Sequence, residues 1–126
     1  MTSSLAEIND KSLYLKFKNF LTRAKSNFED EYEVQTNTVD KIFEGTSLKK
    51  TLLKIDVEGF EISVIKGSQI KLREIPFILL ENQFGNHYKN NNFNDVIKLL
   101  FEQNFKIEKK FIFPTMHYQD ILFKKM

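Results

Sequence analysis

Three carboxylates in the middle of the chain have the chemistry to act at a site, because each follows an apolar stretch. Asp56 and Glu58 come after the apolar segment 51–55, and Glu81 ends a second one, "PFILLE". In open parallel sheets, ligands bind beyond the carboxyl ends of the strands. If the two segments are neighbouring parallel strands, Asp56 and Glu81 lie at the same edge. The spacing therefore predicts that they share the mouth of one pocket.

The residues around Asp56 also allow a second interpretation. Gly59 permits a sharp turn into a following helix, or the close approach of a ligand to the backbone. Glu58 and Glu61 fall just before or within the first turn of that helix, where the helix dipole favours negative charge. Acids at this place are common as helix caps. The residues alone do not distinguish between a functional site and a set of helix caps.

Strands and helices alternate along the predicted chain, and this order must position the acids. Apolar periodicity predicts strands at residues 32–36, 51–56, 76–81, 105–113 and 120–125, and helices at 12–24, 38–45, 59–67 and 93–104. Such alternation predicts an α/β sheet with helices on its faces. The last two strands have no helix between them, so we expect them to pair antiparallel at one edge.

Single residues mark the ends of the two short helices. Thr38 is in the position of an N-cap and Gly45 in that of a stop signal. Gly67 is placed where a left-handed C-terminal cap belongs.

Composition and charge exclude several classes of function. A net charge of +2 argues against a dedicated nucleic-acid binder, and the absence of cysteine excludes disulfides and thiolate metal sites. His87 and His117 have no metal-ligand spacing and are interpreted as loop residues, and "DVEGFE" lacks the alternating oxygens of a calcium loop. No metal site is predicted. With no signal peptide and no apolar run of about 20 residues, we expect a cytoplasmic domain without membrane contact.

The segment "LLKIDVEGFEISVIKGS" resembles the hallmark segment of the FkbM family of S-adenosylmethionine-dependent methyltransferases. The matching residues are Lys54, Ile55, Asp56, Val57, Glu58, Gly59, Glu61, Ile65, Lys66 and Gly67. Upstream, "VQTNTVDKIF" is similar to a family stretch through Val34, Thr38, Val39 and Asp40. Downstream, "PFILLE" looks like the family's next strand. The similarity covers about residues 32–126, and "SSL" at residues 3–5 resembles a further short motif.

The resemblance implies a partial Rossmann-like methyltransferase sheet that is mostly parallel, has an antiparallel C-terminal edge and lacks the N-terminal strands. The four glycines are at positions 45, 59, 67 and 85, too far apart for the family's glycine-rich cofactor turn. We therefore expect residues 1–31 to be an N-terminal helical or irregular segment. Residues 32–126 are then the C-terminal half of a FkbM-like domain.

The chemistry implied by the resemblance is O-methylation of a small molecule, a sugar or a natural product, with S-adenosylmethionine as the cofactor. Asp56 would then lie nearest the methyl group, with Gly59 beside the cofactor. Glu58 and Glu81 would line the acceptor side. Which of the three carboxylates is the base, an orienting group or a metal ligand stays open.

Two other functions remain open. The chain can be a non-catalytic half-domain or split-enzyme subunit that pairs through an open strand edge, as a homodimer or with a missing N-terminal half. Segment 12–24 is a candidate to cover that edge. The chain can also be an unrelated α/β domain whose acids are caps, in which case replacing Asp56 would lower stability modestly.

Overall fold

The computed structural model describes residues 33–83, 92–112 and 118–126 as an α/β arrangement around a four-stranded sheet. The strands are β1 (Leu52–Ile55), β2 (Phe77–Gln83), β3 (Phe105–Ile112) and β4 (Tyr118–Lys125). The helices are α1 (Val39–Ile42), α2 (Glu61–Lys66) and α3 (Phe93–Glu102), with a 3-10 turn at Lys71–Arg73. From residue 38 onwards, the predicted alternation of strands and helices is confirmed over the described residues.

The sheet is mixed, with the strand order β1-β2-β4-β3. β1 and β2 run parallel, whereas β4 runs antiparallel to both β2 and β3. The expected antiparallel pairing of the last two strands is therefore confirmed, but the sheet is not mostly parallel. One of its three strand pairs is parallel, because β4 inserts between β2 and β3 instead of extending the sheet at its outer edge.

The core lies on one face of this sheet, against α2 and α3. Side chains alternate between the two faces of a strand, so every second residue of β1, β2 and β4 points to the helices. The buried members on this face are Ile55, Ile78, Leu80, Ile121 and Phe123, packed with Ile65, Val96 and Leu100 of the helices. On the opposite face Leu52 is 51% exposed. The apolar segments thus bury one side of the sheet and direct the other side outwards.

The segment before β1 differs from the expectation in one respect. Val34 and Thr36 lie in an exposed stretch with no strand structure, so the alternation at residues 32–36 was wrong as a strand signal. Within the described segment no neighbouring strand pairs with it, and alternation without a partner does not make a sheet. Tyr32 and the predicted helix at 12–24 lie outside the described residues.

The two caps of the short helices have different outcomes. The side chain of Thr38 accepts a hydrogen bond from the backbone N–H of Lys41 at 3.2 Å, which confirms the N-cap. Gly67 ends α2 with a φ of −84°, not in a left-handed conformation. Its carbonyl accepts from Asp40 N, and the Asp40 carboxylate accepts from the backbone N–H groups of Ile70 and Lys71. These contacts lead the chain directly into the 3-10 turn, so no left-handed cap is needed.

Each helix among the described residues is too short or too polar to cross a bilayer.

Candidate carboxylate site

The parallel pairing of β1 with β2 brings three carboxylates together at one edge of the sheet. Ile55 is paired with Leu80, so Asp56 and Glu81, which follow them, emerge side by side. One carboxylate oxygen each of Asp56, Glu58 and Glu81 lies within 4.8 Å of the others. The sequence expectation that the first and last of these acids meet agrees with this geometry. The roles expected for the three remain predictions.

A tight turn after β1 places Glu58 in the cluster. Glu58 has a φ of 48° and Gly59 a φ of 97°, so two consecutive residues are in the left-handed region. Gly59 adopts such a conformation without a steric penalty, whereas a residue with a side chain does so at a cost. The five residues 56–60 lead the chain from β1 into α2. The expected role of Gly59 as a turn residue thus has a backbone basis, and its expected contact with a cofactor remains a prediction.

Glu61 is close in sequence to Asp56 and Glu58, but its side chain supports the local structure. It is 6% exposed, and its Oε1 accepts a hydrogen bond from the backbone N–H of Gly59 at 3.0 Å. Phe60, the residue before α2, makes no side-chain cap. The carboxylate of Glu61 therefore satisfies a backbone donor of the turn, which is the function that a helix-start acid was expected to have.

Lys54 is a cation that contacts the carboxylate site through Asp56. Its Nζ lies 2.8 Å from Oδ2 of Asp56. The hydrogen bond and the charge of Asp56 raise the pKa of Lys54 above its usual value, with smaller contributions from the charges of Glu81 and Asp120. The sequence analysis assigned no role to this lysine. Its position two residues before Asp56, on the same face of a strand, was the available signal.

Asp120 is a fourth carboxylate at this edge, and sequence analysis missed it. It is paired with Glu81 across β2 and β4. Directly opposite residues on antiparallel strands point to the same face, with their Cβ atoms about 4.5–5.5 Å apart. Asp56, Glu81 and Asp120 thus follow one another across three adjacent strands. The sequence contained no signal for this contact, because it does not state which strand β4 pairs with.

The remaining candidates from the sequence lie outside the described residues. These are His87 and His117, both interpreted above as loop residues.

The arrangement has two chemical capacities. A group of carboxylates can accept a proton or orient a hydroxyl group, and it can also hold a hard cation through its oxygens. The expectation that no metal site exists rested on histidine spacing and on the calcium-loop pattern. Neither pattern covers carboxylates that come from different strands and meet only in the folded chain.

Comparison with known proteins adds the family. Residues 3–107 match the family model of the methyltransferase FkbM domain. This range contains the segment 54–67 that carries the resemblance, and it also includes most of residues 1–31. No curated protein and no solved structure matches the chain. Since the family model matches well over half of the sequence, the chain belongs to the FkbM methyltransferase family.

Proposed function

We propose that the carboxylate edge of this FkbM-family domain takes part in methyl transfer from S-adenosylmethionine to a hydroxyl oxygen of a small molecule, a sugar or a natural product. The supporting observation is that Asp56, Glu58 and Glu81 converge within 4.8 Å at the carboxyl ends of β1 and β2. This is the edge at which open α/β sheets bind ligands. The family match supplies the reaction class.

The chain's own residues would orient the acceptor and take its proton. Alignment of a hydroxyl oxygen with an electrophilic methyl group supplies much of the rate of such a transfer. As the new bond to oxygen forms, the hydroxyl proton moves to a nearby base, for which a carboxylate oxygen is suited. We assign the position nearest the transferred methyl group to Asp56. Glu58 and Glu81 then line the side where the acceptor binds. Lys54 restricts the orientation of Asp56 through its 2.8 Å contact.

For S-adenosylmethionine, the methyl donor of the family, we infer that the residues present do not supply a glycine-rich binding turn. The turn at Gly59 is the one place near the cluster where the described backbone has positive φ at a glycine, and Gly45 stands in open space. Gly67 is packed against Thr38. The four glycines are separate, so they do not form a glycine-rich cradle for the cofactor. We expect no measurable binding of S-adenosylmethionine by this chain alone.

A second candidate function is supported by the free edge of the sheet. β1 is the outermost strand of the described sheet, and within that sheet it pairs with β2 alone. Leu52 at its start is 51% exposed. An unpaired, partly apolar edge strand is a template for pairing with another chain. The alternative function is therefore a non-catalytic half-domain or a split-enzyme subunit that works through this edge.

Calorimetry with S-adenosylmethionine tests whether the chain is sufficient. We expect no binding tighter than about 1 mM, the upper end of ordinary Michaelis constants. A saturable isotherm below that value would show that a cofactor site exists without the glycine-rich turn.

A reconstitution assay tests the reaction itself. The chain is mixed with a separately made N-terminal half of a FkbM domain, methyl-labelled S-adenosylmethionine and a panel of hydroxylated acceptors. We expect label transfer that needs both halves and that falls about 10²–10⁴-fold in D56N, the loss typical of a missing general base. Equal transfer by D56N would contradict the role of Asp56. Association of the halves without any transfer would favour the non-catalytic function.

A further inference from the structure

The face of the sheet that points away from α2 and α3 is apolar at its centre. Alternate residues of a strand share a face, and this face carries Phe77 and Leu79 of β2 and Leu122 of β4. None of these three side chains is buried. Their neighbours on the helix-covered face are each 0% exposed, namely Ile78, Leu80, Ile121 and Phe123. The same two strands are therefore covered on one face and bare on the other among the described residues.

The strand register joins the apolar side chains of the bare face into one patch. Leu79 stands directly opposite Leu122, and Leu52 of β1 is paired with Phe77. Residues paired in this way on neighbouring strands lie side by side on the same face. A contiguous exposed apolar patch marks a surface that another element or molecule covers. We call these four residues the open-face patch.

The sequence outside the described residues contains a segment that fits the open-face patch. In segment 12–24 apolar residues recur at helical spacing, which predicts a helix with one apolar stripe. The stripe consists of Leu13, Phe17, Phe20, Leu21 and Ala24. Such a helix is about 20 Å long, and the outer strands of a four-stranded sheet are about 14 Å apart. One helix of this length therefore spans the face.

The connection of this segment to the sheet allows it to reach the patch. The described chain begins at Glu33, and α1 follows it closely. The Asp40 carboxylate of α1 accepts from the backbone N–H groups of Ile70 and Lys71, just before β2 starts. Residues 25–38 extend to about 50 Å at most, which exceeds the width of the sheet. The family model also runs from residue 3 to residue 107, so the segment belongs to the same domain as the sheet.

Charges near this end of the sheet complement the residues that follow the segment. Lys106 and Lys124 stand directly opposite each other, and like charges in this arrangement are destabilising. Glu108 lies 3.9 Å from Lys106. Residues 29–33, "EDEYE", bring further acids between the segment and α1. Placing them beside the two lysines would reduce the remaining repulsion.

We propose that segment 12–24 is a helix that packs its apolar stripe on the open-face patch of the same chain. The sheet then has helices on both faces, the arrangement in which apolar strands of an α/β sheet are stable. The helix lies over the face and leaves the backbone edge of β1 open. The inference is therefore independent of methyl transfer and of pairing through the β1 edge.

A nitroxide label tests the position of the segment. The chain has no cysteine, so N19C accepts a single label on the polar side of the predicted helix. We expect the label to broaden the amide NMR signals of residues 52–54, 77–79 and 122–124 more than those of α2 and α3. Broadening confined to residues 1–32, or strongest in α2 and α3, would overturn the proposal.

A mixed sample tests whether the segment docks on its own chain. Spin-labelled N19C is mixed with isotope-labelled chain that has no spin label, and only the second chain is observed. We expect no broadening of its strand signals. Broadening at residues 77–79 and 122–124 in this sample would show that the segment docks on a second copy, and would overturn docking within one chain.

A double-mutant cycle tests the contact itself. F17A and L79A should each lower the urea midpoint of unfolding, and the double variant should lower it by less than the sum of the two losses. The reason is that both changes remove the same contact. The matched control is N19A with L79A, because Asn19 lies off the apolar stripe, and these losses should add. Additive losses for F17A and L79A would overturn the proposal. The label experiments use neither variant, so they decide the question even if L79A fails to fold.

Discussion

At the scale of single residues, acids of the same type and almost the same sequence position have different functions. Asp56 is exposed at the carboxylate edge and its contact is to a lysine, whereas Glu61 is buried and accepts from the Gly59 backbone. Of the two interpretations that the sequence left open, the cap therefore applies to Glu61, while the site remains a proposal for Asp56. The cap belongs to Glu61, and the proposed site to Asp56.

Replacing these two acids separately tests this division. We expect E61A to lower the free energy of unfolding by about 1–3 kcal/mol, because a buried donor loses a charged acceptor. E61Q, which keeps an acceptor oxygen, should lose less. D56N removes a solvent-screened ion pair, so it should lower the denaturation midpoint less than E61A does. Urea unfolding measures the free energy of unfolding of the three variants. A larger decrease in D56N than in E61A would assign the cap to Asp56.

The titration of Lys54 reports directly on the carboxylate site. Asp56 raises the pKa of Lys54, so D56N should lower this pKa toward its ordinary value of about 10.4. Because the folded-state pKa lies above the unfolded one, the ion pair contributes its stability below the unfolded pKa. That contribution is lost as the pH rises through the folded pKa.

NMR titration of the Lys54 side chain between neutral and strongly alkaline pH measures this effect. E102Q serves as the control, since Glu102 lies at the end of α3 and is not among the groups that shift Lys54. An unchanged Lys54 pKa in D56N would mean that the ion pair does not form in solution.

At the scale of elements, the turn from β1 to α2 decides where the acids point. Glu58 and Gly59 both have positive φ, and a residue with a side chain is strained there. A strained conformation that persists next to a cluster of acids is typical of functional sites. The turn is short because the two left-handed residues reverse the chain at once.

Two glycine variants separate strain from function at this turn. G59A and G45A both introduce a side chain at a positive φ, 97° and 74°, and each should lower the free energy of unfolding by about 1 kcal/mol. We expect G59A alone to lower label transfer in the reconstitution assay, because only this turn carries Glu58 of the proposed site. Thermal unfolding and the reconstitution assay measure the two effects. Equal transfer with both variants would show that the turn does not position the proposed site.

The position of β4 in the sheet also determines which acids are neighbours. It runs antiparallel between β2 and β3, with an irregularity in β3 between Ile107 and Lys109. This insertion places Asp120 beside Glu81. Had β4 paired with β3 alone, Asp120 would lie one strand further from the carboxylate edge.

At the scale of the whole molecule, the two outer strands of the described sheet differ in character. β1 presents Leu52 and Lys54 on its open face, while β3 carries three lysines among its exposed residues. Lysines on an edge strand oppose pairing with another chain. The β1 edge is therefore the better candidate for association.

Replacing one exposed residue on each edge strand tests this candidate. We expect light scattering after size-exclusion chromatography to give a mass above the 15.0 kDa of one chain, rising with concentration. L52K should shift the mass toward the monomer, because it places a charge on the β1 edge. I112K is the matched control on β3, since Ile112 is 65% exposed. A monomeric wild type at every concentration would contradict the pairing function.

The sequence by itself determined the local structure and the family. Apolar periodicity located β1, β2, α3 and the last two strands, because burial of one face imposes a period on each element. It also located Asp56 directly after β1, but Glu81 lies within β2, which continues to Gln83. The pattern failed at residues 32–36 and at Gly67. At residues 32–36, strand formation depends on a partner strand. At Gly67, the backbone conformation depends on the contacts that Asp40 makes.

Only the tertiary structure decided how these pieces combine. The neighbours of β4 and the pairing of Asp120 with Glu81 both depend on strand register. Register is a relation between segments that are far apart in the chain, and a linear pattern does not contain it. The acids were therefore visible in the sequence one by one, but their grouping into a single charged edge is a property of the folded sheet.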